Sequence, residues 1–318
     1  MTADGFKIKY SHLKMTKKKS IVTGGAGFIG SNLVDALVKK SHKVIILDNF
    51  VSGKKANLRH HKKKNVKIVK LDISKSKNLD NYFKGADYVF HLAGLAEIIP
   101  SIKNPKKYFK NNVIGTLKVV EAAKKAKIKK LVYAASSSCY GIPKKLPTSE
   151  KDKIDLNNPY AVTKFIGEEI IMRYALMFKM PNISFRFFNV YGPRLNISGQ
   201  YSAVIGNFLS QTKNNKALSI VGDGKQTRDF IHVDDIAKAC VKVIKSKCIN
   251  KIYNLGSGKK TSINTLAKIF NGKKKFIPNR PGEAKNSLAD ISKFKKDVNW
   301  HPKISLEKGI KKLIKYEK

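Results

Sequence analysis

Short apolar runs alternate with amphipathic stretches along most of the chain. Residues 20–23 form a β-type run that enters a glycine-rich turn. Ile29, Leu33 and Leu37 then recur at helical spacing beside Val34 and Val38. Residues 43–48 (KVIILD) make a buried-strand run ending in an acid, and 66–72 and 87–92 repeat the pattern. A long helix is predicted over 108–126, a strand over 131–135, a second long helix over 159–179 and a strand over 183–187. Strands separated by helices imply right-handed crossovers and a parallel sheet covered on both faces. After Asn189 the rhythm loosens. Helices are predicted over 204–212, 234–245 and 263–270 and from about 305. Strands are expected at 218–221, 230–233 and 252–255, and a turn at 278–282. The expected fold class is therefore α/β: a doubly wound parallel sheet with a smaller mixed C-terminal domain.

Composition adds limits. At ~150 residues per domain, 318 residues make one large or two ordinary domains, and 42% apolar residues suffice for a core. No apolar run reaches the ~20 residues that span a bilayer, so no membrane insertion is expected. The lysine-rich start lacks the apolar stretch of a secretory leader. The cysteines, Cys139, Cys240 and Cys248, are odd in number and show no CxxC spacing. That argues against a disulfide scaffold and suits a cytoplasmic protein. The formal charge is +43, yet only Arg59, Arg173, Arg186, Arg194, Arg228 and Arg280 are arginines. Nucleic-acid sites lean on arginine and concentrate charge on one face. Here the lysines are dispersed, and runs such as 17–19, 60–64 and 273–275 read as solvated charge, so no specific nucleic-acid partner is expected.

The strongest chemical signal is TGGAGFIG at 23–30, which follows a strand and opens a helix. Gly24 permits a tight turn, Gly27 lets backbone approach a pyrophosphate, and Gly30 allows close helix packing. The helix N-terminus offers free N–H groups to the anion. Asp48 ends the next strand at about the ~20-residue distance expected of a ribose-binding acid. A carboxylate there repels a 2′-phosphate, so the expected cofactor is NAD.

Tyr160 and Lys164 stand four apart on the second long helix and share a face. An ammonium beside a phenol favours tyrosinate, and so does a nicotinamide cation, so Tyr160 is a candidate base whose pKa can then fall from ~10 towards neutrality. Upstream, Ser136, Ser137 and Ser138 end a strand at a sheet edge, where ligands bind in doubly wound folds. A hydroxyl there suits proton relay.

With these residues in place, the chain resembles the extended branch of the short-chain dehydrogenase/reductase family, and within it the nucleotide-sugar 4-epimerases. The resemblance rests on TGGAGFIG (23–30), LDNFVSG (47–53), HLAGLA (91–96), NNVIGT (111–116), YAASSSCYG (133–141), PYAVTK (159–164), RFFNVYGPR (186–194), VGDGKQTRDFIHVDD (221–235) and RPGEAKNSLADISK (280–293). It implies that Phe28 and Ile29 line the pyrophosphate turn. Asp48 and Asn49 hold the adenosine ribose, and Asp72 and Ile73 the adenine. Leu92, Ala93 and Gly94 pass the nicotinamide side, with Asn111 and Phe187 nearby. Ser136 matches the catalytic serine or threonine, with the register open among Ser136, Ser137 and Ser138. Tyr160 and Lys164 match the base and its partner. Asn189, Val204, Arg228, Arg280 and Glu283 match positions that hold the nucleotide diphosphate, and diphosphate is a natural guanidinium ligand. The implied domains are a cofactor domain over 18–188 and 228–256 and a substrate domain over 189–227 and 257–318. A homodimer through the two long helices is implied as well.

The implied reaction is inversion at C4 of a UDP-sugar through a transient 4-keto form. Related dehydratases carry Asp-Glu after the catalytic threonine, and the decarboxylases generally carry a Glu there. Ser137 and Ser138 stand in those places and favour plain epimerisation. Ser287, seven past Arg280, matches a position that gates room for an N-acetyl group. Its small size points to UDP-GlcNAc/UDP-GalNAc, with UDP-Glc/UDP-Gal the other candidate pair. Decarboxylation, dehydration, uronate epimerisation and a non-catalytic polyanion-binding role are the competing readings.

Overall fold

The computed structural model describes residues 17–197, 204–278 and 285–317. Arg280, Glu283 and most of the expected turn at 278–282 lie outside them. Strands β1 (Lys19–Thr23), β2 (Lys43–Asp48), β3 (Val66–Lys70), β4 (Tyr88–His91), β5 (Lys130–Ser136) and β6 (Asn182–Phe187) join a later strand in one sheet. Small strands β7 (Asn189–Tyr191), β8 (Leu218–Val221) and β9 (Thr227–His232) follow. Then come β10 (Lys251–Leu255), β11 (Lys260–Ser262) and β12 (Lys274–Ile277). The main sheet runs β10-β6-β5-β4-β1-β2-β3, with every pairing parallel. Because β1 pairs β2 on one side and β4 on the other, the strand order reverses at β1. A doubly wound sheet opens a ligand crevice at that point.

Both faces are covered, and the pleat shows it. Ile21 and its neighbour Val22 fall in different apolar clusters, as do Leu131 and Val132. One face carries α1 (Phe28–Lys39). Short helices α2 (Asp80–Phe83), α3 (Ile98–Lys103) and α4 (Pro105–Tyr108) precede α5 (Gly115–Lys125) and α6 (Pro159–Phe178), which cover the other. α6 starts where Asn158 accepts the Ala161 N–H and Pro159 takes the first turn. It ends at Lys179 in the left-handed region. The predicted helix over 108–126 is not one regular helix. Residues Phe109–Ile114 form a π-helical turn between α4 and α5. Such turns cluster at functional sites because they re-aim one side chain.

The strand expected at 230–233 is β9, and it lies outside the main sheet. It pairs with β7 and β11 in a three-stranded sheet. β12 and β8 form a third, two-stranded sheet. α7 (Val204–Lys213), α9 (Ile263–Phe270) and α11 (Leu306–Glu317) share an apolar cluster with these strands, built on Phe208, Leu218, Phe230, Leu266 and Phe270. α8 (Val233–Val243) packs on α1, and α10 (Ser292–Val298) lies against β10. Among the described residues the lysines are mostly solvated as expected, with two exceptions. Lys130 is buried and its Nζ donates to the carbonyls of Val243, Ser246 and Cys248 at the end of α8. There the ammonium complements the negative end of the helix dipole. Lys164 is the other.

Candidate active site

The crevice is built on the glycine turn. Gly24 has φ +70°, and a Cβ there would lie 2.7 Å from the Ala93 nitrogen. The ends of β1 and β4 therefore meet backbone to backbone, as only glycine allows. A Cβ on Gly30 would lie 2.1 Å from the Gly24 carbonyl, so Gly30 seals α1 onto the turn itself. Gly27 begins α1 and no side chain caps it. Phe28 and Ile29, half-buried in the first turn, follow it. An uncapped helix end with a Cβ-free floor fits a pyrophosphate.

Asp48 is buried at the end of β2. Its Oδ2 accepts the Ala26 N–H at 2.9 Å and its Oδ1 the Phe50 N–H at 2.8 Å. The carboxylate thus ties the turn to the next loop and keeps further lone pairs for hydroxyls. Asn49 bonds Asp72. Burial pushes Asp72 up, but bonds from Ser74 and Asn49 prevail and hold it below the usual carboxylate range. Ile73 is buried beneath Gly115. These residues lie at or just after the ends of β2 and β3. Leu92 and Ala93 donate to Thr23 and continue to Gly94.

The proton-transfer groups come next. Ser136 ends β5 beside Phe187 of β6, its partner in register. It caps a short turn by accepting the Ser138 N–H, and the Ser138 hydroxyl also donates to it at 2.9 Å. Among the three serines, Ser136 is the one whose hydroxyl acts on the Tyr160 phenol, favouring its ionisation. Lys164 is buried, with Nζ 4.3 Å above the Tyr133 ring. Burial pushes Lys164 down to about 7, with Glu168 pulling the other way. Burial raises Tyr160 above its ordinary value, against the Ser136 bond. The sequence expectation counted a nicotinamide cation as well as the ammonium. In the chain alone desolvation wins, so a further positive charge is needed to make tyrosinate.

Asn111 spends its amide on the Lys107 carbonyl. Its neighbour Asn112, turned inward by the π-helix, instead bonds both Leu95 backbone groups and the Thr163 hydroxyl. The point where a Gly94 Cβ would stand is 3.1 Å from Asn112 Oδ1 and 3.9 Å from Lys164 Nζ. Sequence reasoning missed Asn112. Its only signal was an asparagine pair inside a helical pattern.

The residues expected on the substrate side lie on later elements. Asn189 on β7 donates to the Asp229 carbonyl, and Val204 starts α7. Arg228 on β9 donates to the carbonyls of Thr227 and Lys285. The Ser287 N–H bonds the Thr227 carbonyl, placing Ser287 beside Arg228. Ser137 lies half-buried next to Ser136. Asp229, also missed, is fully buried. Its oxygens accept from Ser257 N and Oγ, Gly258 N and Ala289 N, which binds the two halves of this region together.

The comparisons with known proteins agree with this geometry. The family model described as NAD dependent epimerase/dehydratase family matches residues 20–256. A putative UDP-glucose 4-epimerase of Methanocaldococcus jannaschii is 38% identical, over 94% of this chain and 98% of its own. A UDP-N-acetyl-alpha-D-glucosaminuronate decarboxylase of Bacillus cytotoxicus is 32% identical, over 94% of this chain and 98% of its own. The solved UDP-N-acetylglucosamine 4-epimerase of Methanobrevibacter ruminantium, in complex with UDP-N-acetylmuramic acid, superimposes with a TM-score of 0.91. It is 36% identical, covering 95% of this chain and 99% of its own. The phosphate cradle, the Ser136–Tyr160 contact and these relationships converge: the chain belongs to the NAD-dependent epimerase/dehydratase family, whose members act on nucleotide sugars.

Proposed function

We propose that the protein inverts C4 of a UDP-sugar, with UDP-GlcNAc/UDP-GalNAc as the preferred pair. One observation carries the reading. Ser136 stands close enough to the Tyr160 phenol to favour its ionisation, while hydroxyls rather than carboxyls occupy the next two positions, Ser137 and Ser138. An elimination or decarboxylation site would use an acid there.

NAD, when bound, supplies the hydride acceptor and a positive ring charge. The glycine turn (Gly24, Gly27, Phe28, Ile29, Gly30) and Asp48, Asn49, Asp72 and Ile73 hold it. Leu92, Ala93, Gly94, Asn111 and Phe187 border its reactive end. Tyr160 removes the proton from the C4 hydroxyl and later returns it, and Ser136 orients that hydroxyl. Lys164 supplies charge to stabilise the phenolate, and Asn112 fixes the loop at Leu95. Asn189, Val204, Arg228, Arg280 and Glu283 hold the nucleotide diphosphate, so that the sugar alone turns over. Ser287 leaves space for an N-acetyl group. The cofactor part takes 18–188 and 228–256, and the substrate part 189–227 and 257–318. Exposed Phe109, Leu176 and Met177 on the π-turn and α6 support a homodimer through this face.

The experiment is incubation with NAD and a panel of UDP-sugars, with separation of products. Interconversion of UDP-GlcNAc and UDP-GalNAc is expected. Release of carbon dioxide from a UDP-uronate, or a 4-keto-6-deoxy product, would overturn the reading.

A further inference from the structure

The basic run 60–64 reads from sequence as solvated charge, yet its two histidines fold back. The His61 side chain is 7% exposed and that of His60 is half-exposed. Their rings lie against each other with centroids 4.1 Å apart. Both Nε2 atoms lie 2.8 Å from the same oxygen, Oδ1 of Asp35 on α1. The other oxygen, Oδ2, accepts from Arg194 Nη2 at 2.7 Å. One carboxylate oxygen and two imidazole nitrogens therefore lie mutually within 4.8 Å.

We propose that Asp35, His60 and His61 form a binding site for a divalent transition-metal ion of the zinc class. Two imidazoles and one monodentate carboxylate match the donor preference of that class, whereas magnesium and calcium take oxygen shells. Bonds of about 2.0–2.1 Å in a tetrahedron set neighbouring donors roughly 3.3 Å apart, so each nitrogen would back away from Oδ1 by about half an ångström as its ring turns from a hydrogen bond to the ion. Arg194 plays the outer-sphere part. It holds Oδ2 and so aims Oδ1 at the ion. Water completes the shell. The ion would pin the loop after residue 58 to α1, the helix that carries the phosphate cradle. It would also pin both to the segment after β7, where Asn32 already donates to the Pro193 carbonyl.

The test is calorimetric titration of zinc into metal-stripped, untagged full-length protein. Cobalt absorption reports the coordination geometry in parallel. One saturable equivalent is expected, with the visible bands of a tetrahedral cobalt centre. Zinc should also raise the melting temperature. His60→Ala, at an exposed position that the fold tolerates, is expected to weaken binding at least about tenfold. His61→Ala is expected to do the same, and His301→Ala, at an exposed position elsewhere, to leave it unchanged. The proposal is overturned by absence of stoichiometric uptake. It is also overturned by uptake that persists in His60→Ala, which would leave the cluster a hydrogen-bonded trio only.

Discussion

Replacing Lys164 with Met removes the buried ammonium while keeping an unbranched chain of similar length. Burial holds that ammonium at about 7 instead of 10.5, even with Glu168 pulling it up. At ~1.4 kcal/mol per pH unit, the gap of about 3.5 corresponds to roughly 5 kcal/mol as a ceiling. The Tyr133 ring beneath Nζ returns roughly 1–2 kcal/mol of that. Lys164→Met is thus expected to gain about 3 kcal/mol of stability at and below pH 7, or roughly 6–12 °C in melting temperature. The folded pKa lies below the unfolded one, so between about 7 and 10.5 the unfolded chain binds more protons. Wild-type stability rises with pH across that window, and the advantage of the variant closes by about pH 10.5. Thermal unfolding of cofactor-free protein at pH 6, 8 and 10 measures this. A variant less stable than wild type at pH 6, or a difference that does not vary with pH, would refute the reasoning. On the proposed mechanism its activity should be lost, because the charge that costs stability is the one assigned to the support of Tyr160.

Three further outcomes follow from the same geometry. Gly30→Ala, whose Cβ would lie 2.1 Å from the Gly24 carbonyl, should cost about 1–3 kcal/mol and weaken NAD binding at least about tenfold; melting and fluorescence titration check this. Tyr160→Phe should lower turnover by about 10²–10⁴ while NAD content is unchanged, as steady-state assay and absorbance will show. Asp229→Asn places an amide N–H₂ among donors that now all point at a carboxylate. It should destabilise the fold by about 2–4 kcal/mol in denaturant titration.

The main sheet was legible because its inner strands are buried on both faces and read as apolar runs, while the edge strand β3 is largely exposed. The glycine turn, Asp48, Tyr160 and Lys164 were legible because each belongs to a local pattern with a fixed spacing. What escaped depends on contacts between distant segments. β7 and β11 have three residues each, and β12 is half lysine and exposed, so none of the three carries an alternating signal. α3 holds Pro100 within it, which hides a helical pattern. The π-turn that faces Asn112 inward leaves the apolar spacing around it nearly unchanged. Asp229 reads as one acid in a polar run, and only the fold brings Ser257 and Ala289 to it. The lysine excess, conspicuous in composition, proved mostly surface. Lys164 stood out by its spacing from Tyr160, whereas Lys130 could be separated from the rest only by burial. The rise of Tyr160 likewise depends on desolvation, which spacing along a helix does not report.

The central claim is that the carbon-bound hydrogen at C4 leaves and returns as hydride while Tyr160 handles only the hydroxyl proton. The most direct measurement uses UDP-GlcNAc deuterated at C4, with the UDP-GalNAc product analysed by mass spectrometry and NMR. The account predicts full retention of deuterium at C4 of the inverted sugar and none released to water. Loss of the label to solvent, or a product unchanged at C4, would contradict it.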